Sequence, residues 1–203
     1  MHAGIRLEHP FESPIEEELV RVLEKHLHES AIVTNQVEVP TPHGTFRLDF
    51  LVEVNGSKVG LEADGKDFHS YDRDMFRDSI ILGYSDIHAI YRFRGKEILF
   101  YLNDSLFALS TLEPQLFSKR GLTNLDTLSL LNEGGGRVRV ISELVIAQGE
   151  WLSPHAVSIL HVSKDAHNPI WRRLSNFAKL HPGVSVDDLI ELGDRQGLQW
   201  YRD

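Results

Sequence analysis

The sequence predicts an α/β fold: a mixed sheet flanked by helices, in the order α-β-β-β-α-β-α over residues 1–110, followed by a smaller α+β extension. Three observations carry this. Ser13-Pro14-Ile15-Glu16 reads as a capping box at the head of an apolar stripe with helical spacing. Asn55-Gly56 separates two runs of alternating apolar and polar residues, the strongest short-range hairpin signal. Helical periodicity then returns on both sides of a further apolar run that ends at Phe93.

The first helix runs from Ser13 to about Leu27, with Ser13 at the N-cap, Pro14 at N1 and Glu16 at N3. Its stripe is Ile15, Leu19, Val22, Leu23 and Leu27. Ile32 to Val39 is a strand that stops at Pro40-Thr41-Pro42-His43-Gly44. From Thr45 to Val54 the alternation puts Phe46, Leu48, Phe50, Val52 and Val54 on one face and Arg47, Asp49, Leu51 and Glu53 on the other. Lys58 to Asp64 returns with Val59, Leu61 and Ala63 inward. A helix follows the segment DGKDFHSYDRD and reaches about Leu82, where Phe76, Ile80 and Tyr84 share a face and Gly83 stops it. Ile87 to Phe93 is the next strand, and Gly95 to Leu109 a helix with Ile98, Leu102, Leu106 and Leu109 on one side.

Residues 111–136 read as a helical connector: a helix over Leu122 to Leu131, then Gly134-Gly135-Gly136 as a flexible joint. The α+β extension, residues 137–203, has strands at Val138 to Ala147 and Ala156 to Val162. Its helices start at Asn168-Pro169, carrying Ile170, Trp171, Leu174 and Phe177, and at Ser185. Arg137 and Arg139 share a strand face, and Arg172 and Arg173 adjoin Trp171, which suits either an amphipathic helix or a grip on a nucleic-acid backbone.

A chain of 203 residues, 41% hydrophobic and 25% charged, can bury a substantial core. The absence of cysteine excludes disulfides, thiolate metal sites and cysteine nucleophiles together. No apolar run approaches the ~18 residues of a membrane span, and MHAGIRLEHPFESP lacks a signal-peptide core, so a soluble cytoplasmic protein without a membrane partner is expected. The formal net charge of -9 weighs against a polyanionic partner. That charge is uneven, however: residues 1–110 hold 11 Lys and Arg against 19 Asp and Glu, and residues 111–203 hold 10 against 11. The acidity belongs to the first half, where part of it is a candidate cation site.

With Asn55 and Gly56 as the loop, Val54 faces Ser57 and the register carries Asp49 opposite Glu62, Arg47 opposite Asp64 and Glu53 opposite Lys58. Only Asp49 and Glu62 are uncompensated. Two carboxylates ~5 Å apart at an effective dielectric of about 20 repel by roughly 3 kcal/mol. A divalent cation such as Mg²⁺ would relieve this; so would a shared proton or a solvated polar face. Asp64 adds a third carboxylate diagonal to Asp49, and Lys66 has the same parity if the strand continues.

RLDFLVEV, GLEADGKDFH, DRDMFRDSIILGY and IYRF together resemble the core of the PD-(D/E)xK nuclease superfamily, in particular its very-short-patch-repair endonuclease-like branch, over about Ser13 to Leu109. The resemblance implies a restriction-endonuclease-like core and a Mg²⁺-dependent endonuclease acting on DNA, with Mn²⁺ as a substitute ion and a homodimer as one allowed state. It makes Asp49 the first metal-binding acid. Either Glu62-Ala63-Asp64 is the triplet, with Asp64 in place of Lys and the Ala63 carbonyl joining the metal shell, or Asp64-Gly65-Lys66 is the triplet and Glu62 an extra acid. Hairpin register favours the first. Glu16 resembles the helix-borne acid that many members add, although the capping box alone explains a Glu there. His69 matches a histidine of that branch that could serve as acid, base or outer ligand. Arg73, Arg77, Arg92 and Arg94 are candidate phosphate contacts, with ion pairing to Asp72, Asp74 and Asp78 as the plainer explanation. The Asp in the Lys position leaves room for a non-cutting module of the same fold that binds nucleic acid or a protein.

Overall fold

A computed structural model describes residues 4–65, 71–131, 137–141, 144–148, 156–165 and 170–198. The hairpin organises it. Asn55 and Gly56 take φ values of 51° and 85°, the two left-handed residues that a tight hairpin turn requires, and join β3 (Gly44–Val54) to β4 (Ser57–Asp64). The other strands are β1 (Gly4–Arg6), β2 (Ile32–Thr41), β5 (Ala89–Arg94), β6 (Arg137–Ile141), β7 (Leu144–Gln148) and β8 (Ala156–Ser163). All eight lie in one mixed sheet, in the order β1-β2-β3-β4-β5-β8-β7-β6. The β1–β2 and β4–β5 pairs are parallel and the rest antiparallel. Residues from 137 onward thus extend the first sheet through β8 on β5.

Helices cover both faces. On one face lie α1 (Pro14–Leu23), α3 (Gly95–Phe100), α4 (Leu102–Leu112) and α5 (Lys119–Leu128), packed through Leu19, Leu23, Ile98, Leu106 and Leu125 onto Phe50, Val52, Leu61 and Phe93. On the other lie α2 (Tyr71–Tyr84), α6 (Ile170–Leu180) and α7 (Val186–Arg195), whose Phe76, Ile80, Leu174 and Leu189 share a core with Leu48, Ile90 and Val162. The capping box forms as read: the Glu16 N–H donates to Ser13 Oγ, and the Glu16 carboxylate accepts from Ser13 Oγ at 2.8 Å and from the Glu12 N–H at 3.1 Å.

Several expectations need correction. The first helix ends at Leu23, with single-turn hydrogen bonds carrying the chain on to Leu27. The expected helix Gly95 to Leu109 is two helices, broken at Tyr101, whose φ of -136° and ψ of 30° are neither helical nor extended. Ser118, not Leu122, heads α5, accepting from the Gly121 N–H. The single expected strand from Val138 to Ala147 is a hairpin of β6 and β7. The joint Gly134-Gly135-Gly136 and Asn168-Pro169 lie outside the described residues.

The apolar alternation of β3 also switches sides. Phe50, Val52 and Val54 pack under α1 and α4 as one group, whereas Phe46 and Leu48 belong to the core under α2. β2 changes sides at the matching place, with Val33 in the first core and Val39 in the second. The cause lies at Gln36, a non-glycine residue at φ 52°. One left-handed residue in an extended strand reverses the face that later side chains meet. Gln36 and Asp49 are the position that the β2–β3 register skips. The site grows from this irregularity.

Candidate functional site

Asp49 sits where β3 parts from β4. The ladder runs from Val54↔Ser57 to Phe50↔Leu61, including Glu53↔Lys58 as expected, and stops one pair short of Asp49 and Glu62. The Asp49 side chain takes over there: its Oδ2 accepts the Ala63 N–H at 2.8 Å. The Asp49 and Glu62 carboxyls come within hydrogen-bond reach of each other, with the charges of Glu16 and Asp64 close enough to be felt. Burial pushes the Asp49 carboxyl above its ordinary range and the Ala63 N–H pulls it back, while Glu16 and Asp64 push it further up and Glu62 pulls it down.

Glu62, like Glu16, is buried, only 5% exposed. Lying between Leu61 and Ala63, both packed toward α1, it faces α2, and Arg77 of that helix donates to its Oε1 at 2.7 Å. Glu62 is therefore compensated, contrary to the expectation from the hairpin alone. Burial still raises its carboxyl to about 7, against the opposing pull of Arg77 and Arg92 and with Asp49 and Asp78 pushing up as well. Burial likewise raises Asp64 to about 6, opposed by Arg92 and assisted by Glu62, Asp74 and Asp78.

The arginines turn inward. Arg92, 5% exposed and paired with Glu62 in the parallel β4–β5 register, donates from Nε and Nη2 to both Asp78 oxygens, at 2.7 and 2.8 Å, and from Nη1 to Asp64 at 3.3 Å. Its planar fork suits a bidentate carboxylate. Arg77 also donates to Asp78 and to the carbonyl of Arg47. Both therefore act as electrostatic members of the acidic cluster and not as a free basic surface. Arg73 lies apart, 3.0 Å from Asp187 of α7, and Arg94 is half-buried at the end of β5. Arg47 pairs with Glu12 at 2.7 Å, not with Asp64, and Lys58 with Asp86, not with Glu53.

Glu16 joins the cluster from α1. It caps its own helix, and its Oε2 also accepts from the Gln36 side chain at 3.2 Å, which ties α1 to the left-handed residue of β2. Asn35, fully buried, fixes the same kink by bonding the backbone of Glu8 and His9. The structure thus brings Glu16, Asp49, Ala63, Glu62 and Asp64 to one end of the β3–β4 hairpin. Lys66 and His69 lie outside the described residues. Among the described residues no group of three or more His, Asp or Glu is arranged to hold a metal ion; the donor set there is the Asp49–Glu62 pair. Sequence reading named Asp78 as an ion-pair partner of the arginines, which the structure bears out, and missed Gln36, which nothing local marks.

No protein-family model, curated protein or solved structure matches the chain.

Proposed function

We propose that the chain is a metal-dependent endonuclease of the PD-(D/E)xK type, hydrolysing DNA phosphodiester bonds in a repair, restriction or mobile-element setting. One observation carries this reading: Asp49 and Glu62 present adjoining carboxyls where β3 leaves β4, inside the α-β-β-β-α-β order that the resemblance implies. Two largely buried carboxyls in hydrogen-bond reach share a proton unless a cation lies between them. A hard ion with oxygen ligands, Mg²⁺ or Mn²⁺, fits that donor set and keeps several waters besides. Asp49, Glu62 and the carbonyl of Ala63 would hold it, with Asp64 adjacent. Such an ion, when bound, lowers the pKa of an attacking water and offsets the charge that builds on the phosphate.

The remaining work falls to the chain. The Ala63 N–H fixes the Asp49 carboxyl, and Arg77, anchored to the β3 backbone and to Asp78, fixes that of Glu62. Arg92 clamps Asp64 to Asp78 and so holds the end of β4 against α2. The test is incubation of pure protein with single- and double-stranded DNA, and an RNA panel, in Mg²⁺ or Mn²⁺. Metal-dependent cleavage is expected to fall by more than about 100-fold in Asp49→Ala and in Glu62→Ala. Cleavage that survives both substitutions overturns the site assignment.

A nuclease-fold module that binds without cutting is favoured by one specific observation. Asp64 stands in the Lys position of the superfamily, and the cations nearby, Arg77 and Arg92, are already bound to acids. It predicts binding with no nicking under any divalent ion, and metal-dependent nicking removes it.

A further inference from the structure

A second concave feature lies on the α1 side of the sheet. A cavity of about 570 Å³ opens between α1, α3, α4 and α5, within the size range of ligand pockets. Leu99, Phe100, Leu128 and Leu130 line it, four of the seven large apolar side chains that the described residues expose. Scattered exposed apolar residues are ordinary, whereas their concentration around one cavity marks a contact site. Phe100 is 74% exposed at the rim.

The polar lining selects the occupant. Lys25 on the α1 side and the Asn103 and Asn124 amides form no hydrogen bond or ion pair within the described residues. The His26 ring, 4% exposed, also lines the cavity, and its Nδ1 is buried without a partner. The two acids present are committed elsewhere. Asp104 accepts from Ser129 Oγ and the Leu130 N–H, which sets the far rim, and Glu18 is held by Arg21 through two bonds. An apolar, aromatic-rimmed floor with free amides and a cation at its edge complements a flat heteroaromatic ring bearing an anionic group. Position points the same way. Gly95 opens α3 against the carbonyl of Gly65, next to Asp64, and α3 ends at Phe100. α3 thus leads from the cluster to the cavity.

We propose that this cavity takes one unpaired nucleotide of a DNA strand engaged at the acidic cluster, its base against Phe100 and the leucines and its phosphate toward Lys25. The inference rests on the nuclease reading for its substrate, but its test does not need turnover. Affinity for a fluorescein-labelled dT12 strand is measured by anisotropy in EDTA, with the matching duplex beside it. Phe100→Ala is expected to weaken single-strand binding about tenfold with an unchanged melting temperature, since Phe100 is largely exposed. Lys25→Ala is expected to lower the salt slope by about one. Leu180→Ala, equally exposed on α6 in the opposite layer, leaves both unchanged. Wild-type affinity in Phe100→Ala, no single-strand binding by the wild type, or concentration-dependent self-association abolished by Phe100→Ala each overturns the assignment. Loss of binding in Phe100→Ala while the wild type cuts nothing keeps the cavity and removes the nuclease.

Discussion

Replacing Glu62 by Gln should stabilise the metal-free protein, and by an amount that depends on pH. The Glu62 carboxyl, ordinarily near 4.5, stands at about 7 in the folded chain because burial costs more than Arg77 and Arg92 return. A folded-state acid raised in this way binds a proton that the unfolded chain has released, so between pH 4.5 and 7 stability falls as pH rises. The full penalty, reached above pH 7, is about 3 kcal/mol at 1.36 kcal/mol per pH unit. Gln keeps an oxygen for Arg77 and carries no charge. Urea unfolding of both proteins in EDTA at pH 5 and pH 8 tests this. The stability of the wild type relative to Glu62→Gln should fall by about 2 to 3 kcal/mol between the two pH values. Asp64, raised in both proteins, cancels to first order in the difference. A difference that stays constant with pH, or a wild type that gains relative to Glu62→Gln at pH 8, refutes the burial argument.

Three other perturbations follow from the same structure. Asp78→Ala leaves Arg92 buried without its bidentate partner and should cost about 3–5 kcal/mol in urea unfolding. Gly121→Ala places a methyl group 1.9 Å from the carbonyl oxygen of His26, a backbone atom that cannot swing aside; a loss of about 1–3 kcal/mol by thermal melting is expected despite the better helix propensity of Ala. Glu113→Gln should cost more at pH 6 than at pH 9. Its carboxylate accepts from Tyr91, Gln115 and His88 and raises His88, and the stability from a raised histidine is present below its unfolded pKa of about 6.5 and lost as pH rises through the folded value.

What was legible in the chain was what is local. Ser13 and Glu16 meet within one turn, and Asn55-Gly56 sets the register of five cross-strand pairs by itself, so the cap and most of the hairpin follow from short stretches. The kink at Gln36 was hidden because a glutamine carries no preference for φ 52°; Asn35 and Glu16, held by distant partners, impose it. That kink also broke the apolar alternation at Leu48 and Phe50, which read as uninterrupted. Asp49 and Glu62 were correctly placed together, but through a side chain on the Ala63 N–H and not through the ladder. For Arg92 the plainer of two readings, an ion pair with Asp78, is the one the fold forms, although the two residues lie on different elements that no local spacing links.

The seating of β8 against β5 bears on how the protein can be dissected. β5 carries Arg92 and lies between β4 and β8, with the Ala89–Arg92 stretch paired to Leu160–Ser163. A fragment ending near residue 110 keeps every acid of the cluster yet bares one whole edge of β5, and it strips α6 and α7 from the apolar surface of α2. A long row of unpaired N–H and C=O groups beside uncovered Phe76 and Ile80 is a template for joining other chains. The far half of the molecule is, on these grounds, the protection of the first 110 residues against aggregation.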